Sequence, residues 1–119
     1  MLQLKENTNI FEELEKLAKE QGITYGLIVS GFGKIKKFDL VATTPGKGIN
    51  RTFFEKAFEV NAMSGKISID SRGKFSAYLR ISATSTGFTP MGGQLMGGVA
   101  AEKLEIGIRK IDTKKIIEA

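Results

Sequence analysis

The chain of 119 residues has the size of one domain, which we expect to span residues 1–119 around a single hydrophobic core. It contains no cysteine and no histidine, which excludes disulfides, serine and cysteine protease triads, and the usual zinc sites. The net charge of +5 favours association with a polyanion such as nucleic acid, and the lack of a signal-peptide pattern or a long apolar run predicts a cytoplasmic protein without a membrane segment.

The first 22 residues predict a short strand followed by a helix. Apolar and polar residues alternate in Met1–Lys5, as in an edge strand. Asn9 is a suitable N-cap, and the apolar residues after it recur at helical spacing until Gly22. This pattern predicts a helix over about residues 9–21.

The next segment predicts two strands that meet at a glycine corner. Ile23–Val29 is apolar and rich in β-branched residues, and it leads into SGFG at Ser30–Gly33. Lys34–Thr43 then alternates, and Thr44–Arg51 is rich in turn residues, which predicts a loop.

The middle of the chain predicts a strand that contains a bulge. Three apolar residues of this strand share one face: Phe58, Val60 and Ala62. After Gly65 the apolar positions are Ile67 and Ile69, which have the opposite phase. Such a change of phase predicts a bulge near Ser64 and Gly65.

The last third predicts a hairpin and a long glycine-rich strand. Asp70–Gly73 is typical of a hairpin turn, and Phe75–Ala83 alternates with its apolar residues inward. Pro90–Ile108 ends in a regular alternation that is typical of a half-buried strand. Its two glycine pairs indicate that another strand, another subunit or a ligand approaches the backbone closely: Gly92, Gly93, Gly97 and Gly98.

Together these elements predict an α+β fold with a mainly antiparallel single sheet of about seven strands and one principal helix packed on it.

The Gly-Lys pairs lack the following Ser or Thr of a phosphate loop, and Gly31 and Gly33 precede a strand instead of the helix that a dinucleotide fingerprint requires. Three basic residues form a candidate nucleic-acid-binding group: Lys34, Lys36 and Lys37. A second basic group comprises Arg109, Lys110, Lys114 and Lys115. The alternative for both groups is that they are solvated surface charges.

Three segments in this order resemble the plant and prokaryote conserved (PPC or PCC) domain family. SGFG at Ser30–Gly33 reproduces the family's SGxG corner, KAFEVNAMSG at Lys56–Gly65 is similar to its GRFEILSLSG, and GGQLMGG at Gly92–Gly98 corresponds to its GGHLxxG. Lys56 and Ala57 depart from the GlyArg of the plant version. The resemblance implies a homotrimer, in which the four late glycines would lie at the subunit interface. Stand-alone prokaryotic members commonly carry a DNA-binding label without a settled activity.

One departure from the family concerns its histidines. Many prokaryotic members carry histidines in an HLH pattern and in GGH, and by alignment those places are held here by Tyr78, Arg80 and Gln94. We therefore expect neither a metal nor a cofactor. These three side chains instead suit a carboxylate or a phosphate ligand. The alternative is that Arg80 pairs with Glu59 or Glu105, across the sheet or between subunits.

We expect a homotrimeric PPC-type protein that binds DNA or a regulatory partner and has no catalytic activity. The main alternative is a small-molecule or anion binder, enzymes included, with an intersubunit pocket around Tyr78, Arg80 and Gln94. A third is that the trimer presents the loop from Thr84 to Met91 to a protein partner.

Overall fold

The computed structural model describes residues 1–44, 48–85, 87, 88 and 90–111, and in these residues it has one helix and six strands. In chain order the elements are β1 (Leu2–Lys5), α1 (Ile10–Gln21), β2 (Tyr25–Thr44), β3 (Gly48–Phe54), β4 (Phe58–Ile69), β5 (Phe75–Thr84) and β6 (Pro90–Lys110). All the strand pairs are antiparallel. The α+β prediction is confirmed, with six strands where about seven were expected.

The sheet closes on itself. Its strand order is β1-β6-β5-β4-β2-β3, and β6 also pairs with β2. The strands β2, β4, β5 and β6 therefore form a circuit in which each has a partner on both sides. The strands β1 and β3 lie outside this circuit, each with one strand neighbour, which agrees with the prediction that Met1–Lys5 forms an edge strand.

The helix forms where the sequence predicted it. The side chain of Asn9 accepts a hydrogen bond from the Glu12 backbone N–H at 3.0 Å, and Gly22 ends the helix in the left-handed conformation with φ of 63°. The buried face of α1 consists of Ile10, Leu14 and Ala18, which join the core of the sheet. Among the described residues no helix is long and apolar enough to cross a membrane.

The predicted glycine corner is wrong, because Ser30–Gly33 lies inside the single 20-residue strand β2. These residues stay paired with β6, and the register shifts on both sides of them. Gly33 has φ of +129°, and a Cβ there would lie 2.1 Å from the Lys103 carbonyl oxygen. The glycines thus allow close contact with β6 instead of ending a strand.

The predicted loop at Thr44–Arg51 is also wrong where the structure describes it. Thr44 ends β2, Gly48–Arg51 begins β3, and the two strands pair as a hairpin. Residues 45–47 of this segment lie outside the described residues.

The bulge in β4 lies earlier than predicted. The register with β5 shifts between Val60 and Ala62, so Ala62 is exposed and does not share the buried face of Val60. Met63 is buried instead and packs against Gly31, where a Cβ would lie 2.6 Å from the Met63 Cβ. The change of face therefore falls at the bulge between Val60 and Ala62, before Gly65.

The predictions for β5 and its turn are confirmed. Asp70 Oδ1 accepts hydrogen bonds from the backbone N–H groups of Arg72 and Lys74, both at 2.9 Å, and these bonds fix the hairpin turn. Three apolar residues of β5 are buried: Leu79, Ile81 and Ala83. The alternate residues are exposed on the outer face: Ser76, Tyr78, Arg80 and Ser82.

Candidate functional site

The structure brings together the three side chains that the sequence singled out. Arg80 on β5 lies directly opposite Gln94 on β6, and Tyr78 shares the outer face of β5 with Arg80. Arg80 Nη1 donates a hydrogen bond to the Tyr78 hydroxyl oxygen at 3.2 Å. A guanidinium, a phenol and an amide therefore meet on one face of the sheet, where they can offer several hydrogen bonds to an anion.

This group lies at the surface. Tyr78 is 40% exposed, Arg80 is exposed, and Gln94 is half-buried. In the part of the chain that the structure describes, no carboxylate forms an ion pair with Arg80, and Glu105 instead pairs with Lys103 at 3.3 Å. The alternative in which Arg80 pairs with Glu59 or Glu105 within one chain is therefore not observed, and pairing between subunits stays a prediction.

The two glycine pairs at the start of β6 each combine a buried glycine with a more exposed one. Gly93 and Gly98 are buried, and a Cβ would lie 2.6 Å from the Val41 carbonyl oxygen at Gly93 and 2.7 Å from the Phe38 Cβ at Gly98. Close approach of β2 is enough to explain these two positions. Gly92 is exposed, and a Cβ there would lie 3.0 Å from the Ile81 carbonyl oxygen of β5, whereas at Gly97 a Cβ would meet no described atom within 4 Å. Their assignment to a subunit interface stays a prediction.

The basic group on β2 is partly neutralised by acidic side chains. Lys34 Nζ lies 3.0 Å from Glu102 Oε2, and Lys36 Nζ lies 2.5 Å from Glu6 Oε2. The hydrogen bond from Lys36, with the one from the Glu102 backbone N–H, lowers the pKa of Glu6 below its usual value. Lys37 is exposed and has φ of 48°, and among the described residues it forms no ion pair.

A third basic group, which was not predicted from the sequence, lies on the β4–β5 hairpin. The segment from Lys66 to Arg80 has four cationic side chains and one carboxylate: Lys66, Arg72, Lys74 and Arg80, with Asp70. All four cations are exposed, and none of them forms an ion pair with a described carboxylate. This group could have been found from the alternation of apolar and polar residues in β4 and β5. That alternation places Lys66 on the same side of the hairpin as Tyr78 and Arg80.

The described residues contain no group of three histidine, cysteine, aspartate or glutamate side chains that could hold a metal ion. Of the second basic group on the sequence, Arg109 and Lys110 end β6 and are exposed. Lys114 and Lys115 lie outside the described residues. Of the loop from Thr84 to Met91, Thr84 ends β5 and Pro90 begins β6, while residues 86 and 89 also lie outside.

Comparison with known proteins identifies the family. The sequence model of the Plants and Prokaryotes Conserved (PCC) domain matches residues 1–112. No match to this chain was found among curated proteins. Similar solved structures share 18–23% of residues with this chain, and at that identity they establish the fold alone.

Three of these structures cover nearly the whole chain. A plant- and prokaryote-conserved protein from Pyrococcus horikoshii has a TM-score of 0.80 and 18% identity, over 93% of this chain and 76% of that chain. A "putative DNA-binding protein" from Ralstonia eutropha has a TM-score of 0.79 and 23% identity, over 92% and 76%. A protein with the same name from Bacteroides thetaiotaomicron has a TM-score of 0.76 and 23% identity, over 91% and 74%.

Proposed function

Because the chain belongs to the Plants and Prokaryotes Conserved (PCC) domain family, we propose that it is a homotrimeric, non-catalytic protein that binds DNA in a regulatory role. The proposal that the protein binds DNA rests on its exposed cations. Several of them, including Lys37, Lys66 and Arg109, form no ion pair with a described carboxylate. Such cations can replace the counterions of a phosphate backbone. The names of the two similar structures from Ralstonia and Bacteroides support the same function.

The DNA part predicts a strong dependence on salt. Fluorescence anisotropy with labelled DNA is expected to show binding at about 50 mM salt and an affinity that falls about tenfold or more by about 200 mM, because neutralising even about two phosphates releases that many counterions. A neutral or acidic protein of similar size serves as the control. If the chain fails to bind DNA at the lower salt concentration, this part of the proposal is wrong.

The homotrimer has its support on the outer face of the sheet around Gly97. Phe53 on β3, Asp39 on β2 and Gly97 on β6 are paired in register and therefore share a face. Phe53 is 56% exposed and Met96, next to the glycine, is 42% exposed. Bare backbone beside exposed apolar side chains suits close contact with another copy.

Light scattering is expected to give a mass of about 39 kDa, three times the 13.0 kDa of one chain. Gly97→Glu is expected to lower this mass without unfolding the chain, because a side chain there would meet no described atom of its own protomer within 4 Å. A wild-type mass near that of one chain would contradict the trimer.

A second candidate function is the binding of a small anion by Tyr78, Arg80 and Gln94. It is favoured by the observation that the Arg80 guanidinium forms no ion pair with a described carboxylate. Phosphate or citrate is expected to raise the melting temperature of the wild type more than that of Arg80→Ala, because the ligand would pair with the guanidinium. Ser82→Ala, on the same outer face, is the control. Equal shifts in the wild type and Arg80→Ala would eliminate this site.

A further inference from the structure

We propose that the outer surface around the β4–β5 hairpin binds a single-stranded nucleic acid, with cations on its phosphates and Tyr78 stacked on a base. We name this surface the hairpin face and define it by Lys66, Arg72, Lys74, Tyr78 and Arg109. The inference rests on the proposed function and adds to it the location of the binding surface and the form of the nucleic acid.

The first argument is the register of the strands. Tyr78 on β5 lies opposite Lys66 on β4, Lys66 lies opposite Leu27 on β2, and Leu27 lies opposite Arg109 on β6. Directly opposed residues of antiparallel strands project from the same face. The phenol and the two cations therefore form one row across four strands. Lys66 and Arg109 are two strand spacings apart, about 10 Å, so they can contact different phosphates.

The second argument is the charge that stays unpaired. Lys66, Arg72, Lys74 and Arg109 are exposed, and none has an ion pair within the described ranges of the chain. The carboxylate of the hairpin, Asp70, uses Oδ1 to accept two backbone hydrogen bonds in the turn. The basic group on β2 differs, because Lys34 and Lys36 already contact Glu102 and Glu6. The hairpin face is therefore complementary to a polyanion.

The third argument concerns Tyr78. Tyr78 is 40% exposed at the β5 end of the row, beside Lys66, and its hydroxyl accepts a hydrogen bond from Arg80, which positions the ring. The residues on either side of it along the face of β5 are Ser76 and Arg80, so one of its two neighbours on this strand is small. An aromatic ring among cations is the arrangement that stacks on the bases of a single strand, whereas a duplex keeps its base faces inside the stack.

The charge test compares two double variants that lose the same number of charges. Lys66→Gln/Arg109→Gln alters the hairpin face, and Lys16→Gln/Lys56→Gln removes two exposed lysines from α1 and from the β3–β4 connection. Binding is measured by anisotropy with a labelled oligonucleotide of about 20 nucleotides, single-stranded or as a duplex. We expect the first variant to bind the single strand about tenfold or more weakly and to lower the slope of log K against log salt by about two. The control is expected to stay within about threefold of the wild type.

The stacking test compares Tyr78→Ala with Tyr78→Phe. We expect the alanine variant to bind the single strand about tenfold more weakly and the phenylalanine variant to bind nearly as the wild type, because only the alanine removes the ring. Circular dichroism and melting temperature establish that each variant is folded. We expect the wild type to bind the single strand more tightly than the duplex.

The outcomes separate the two levels of the proposal. A wild-type protein that binds neither form at low salt would overturn the proposed function, and this inference with it. A wild type that binds, together with hairpin-face variants that bind equally well, would overturn this inference and leave the proposed function standing. Tighter binding of the duplex, with no effect of Tyr78→Ala, would overturn the assignment to a single strand.

Discussion

Gly65→Ala is expected to destabilise the fold strongly. Gly65 has φ of +146°, a region that side chains rarely adopt, and an added Cβ would lie 2.0 Å from the Tyr78 carbonyl oxygen. That oxygen is backbone of the paired strand β5, so it cannot move without breaking the pairing of β4 with β5. We expect a loss of at least about 4 kcal/mol in the free energy of unfolding, from a total of roughly 5–15 kcal/mol for a domain.

The matched control for this variant is Gly73→Ala. Gly73 also has a positive φ, +81°, but an added Cβ would meet no described atom within 4 Å. Its substitution should therefore cost only the backbone strain, about 1–2 kcal/mol. Urea unfolding monitored by circular dichroism measures both variants. If Gly65→Ala were no more destabilising than Gly73→Ala, this would contradict the close approach of the Tyr78 carbonyl to Gly65.

The second large effect is expected from Phe38→Ala. Phe38 is fully buried, and its ring centroid lies 5.2 Å from that of Phe54 and 5.3 Å from that of Phe58. Phe38 also lies directly against Gly98 on β6, which has no side chain. The strands around Phe38 are therefore already close together and have little freedom to close a cavity. Truncation is expected to lower the free energy of unfolding by about 3–5 kcal/mol.

Phe32→Ala provides the comparison on the same strand. Phe32 is 59% exposed, so its removal creates no cavity in the core and should change the free energy of unfolding by about 0.5 kcal/mol or less. Both variants can be compared by denaturant unfolding under the same conditions. Similar losses of unfolding free energy in the two variants would contradict the burial of Phe38 against Phe54 and Phe58.

The sequence predicted local elements better than their lengths. The helix could be predicted because Asn9 and Gly22 mark its ends and a regular apolar period lies between them. The division of β2 at Ser30–Gly33 was wrong because the glycines of SGFG were interpreted as a corner between two strands. Which strand pairs with these glycines depends on β6, far along the chain, and alternation carries no information about that partner.

The candidate site shows the same division. Tyr78 and Arg80 could be placed on one face because β5 alternates without interruption, and Gln94 joined them through the family alignment and the register of β6. The neutralisation of Lys34 and Lys36 could not be predicted, because Glu6 and Glu102 reach them only after the sheet closes. The same holds for the row that joins Lys66 to Arg109 through Leu27.

The circuit of β2, β4, β5 and β6 has a consequence for synthesis of the protein. The last of these strands to leave the ribosome is β6, and it supplies partners for β1, β2 and β5 at once. Until it emerges, the nascent polypeptide can form at most α1 and the open sheet β3-β2-β4-β5, in which β2 and β5 each lack the partner that β6 provides. Stalled nascent chains that lack β6 should therefore remain sensitive to protease, and protection should arise in one step when that strand is released.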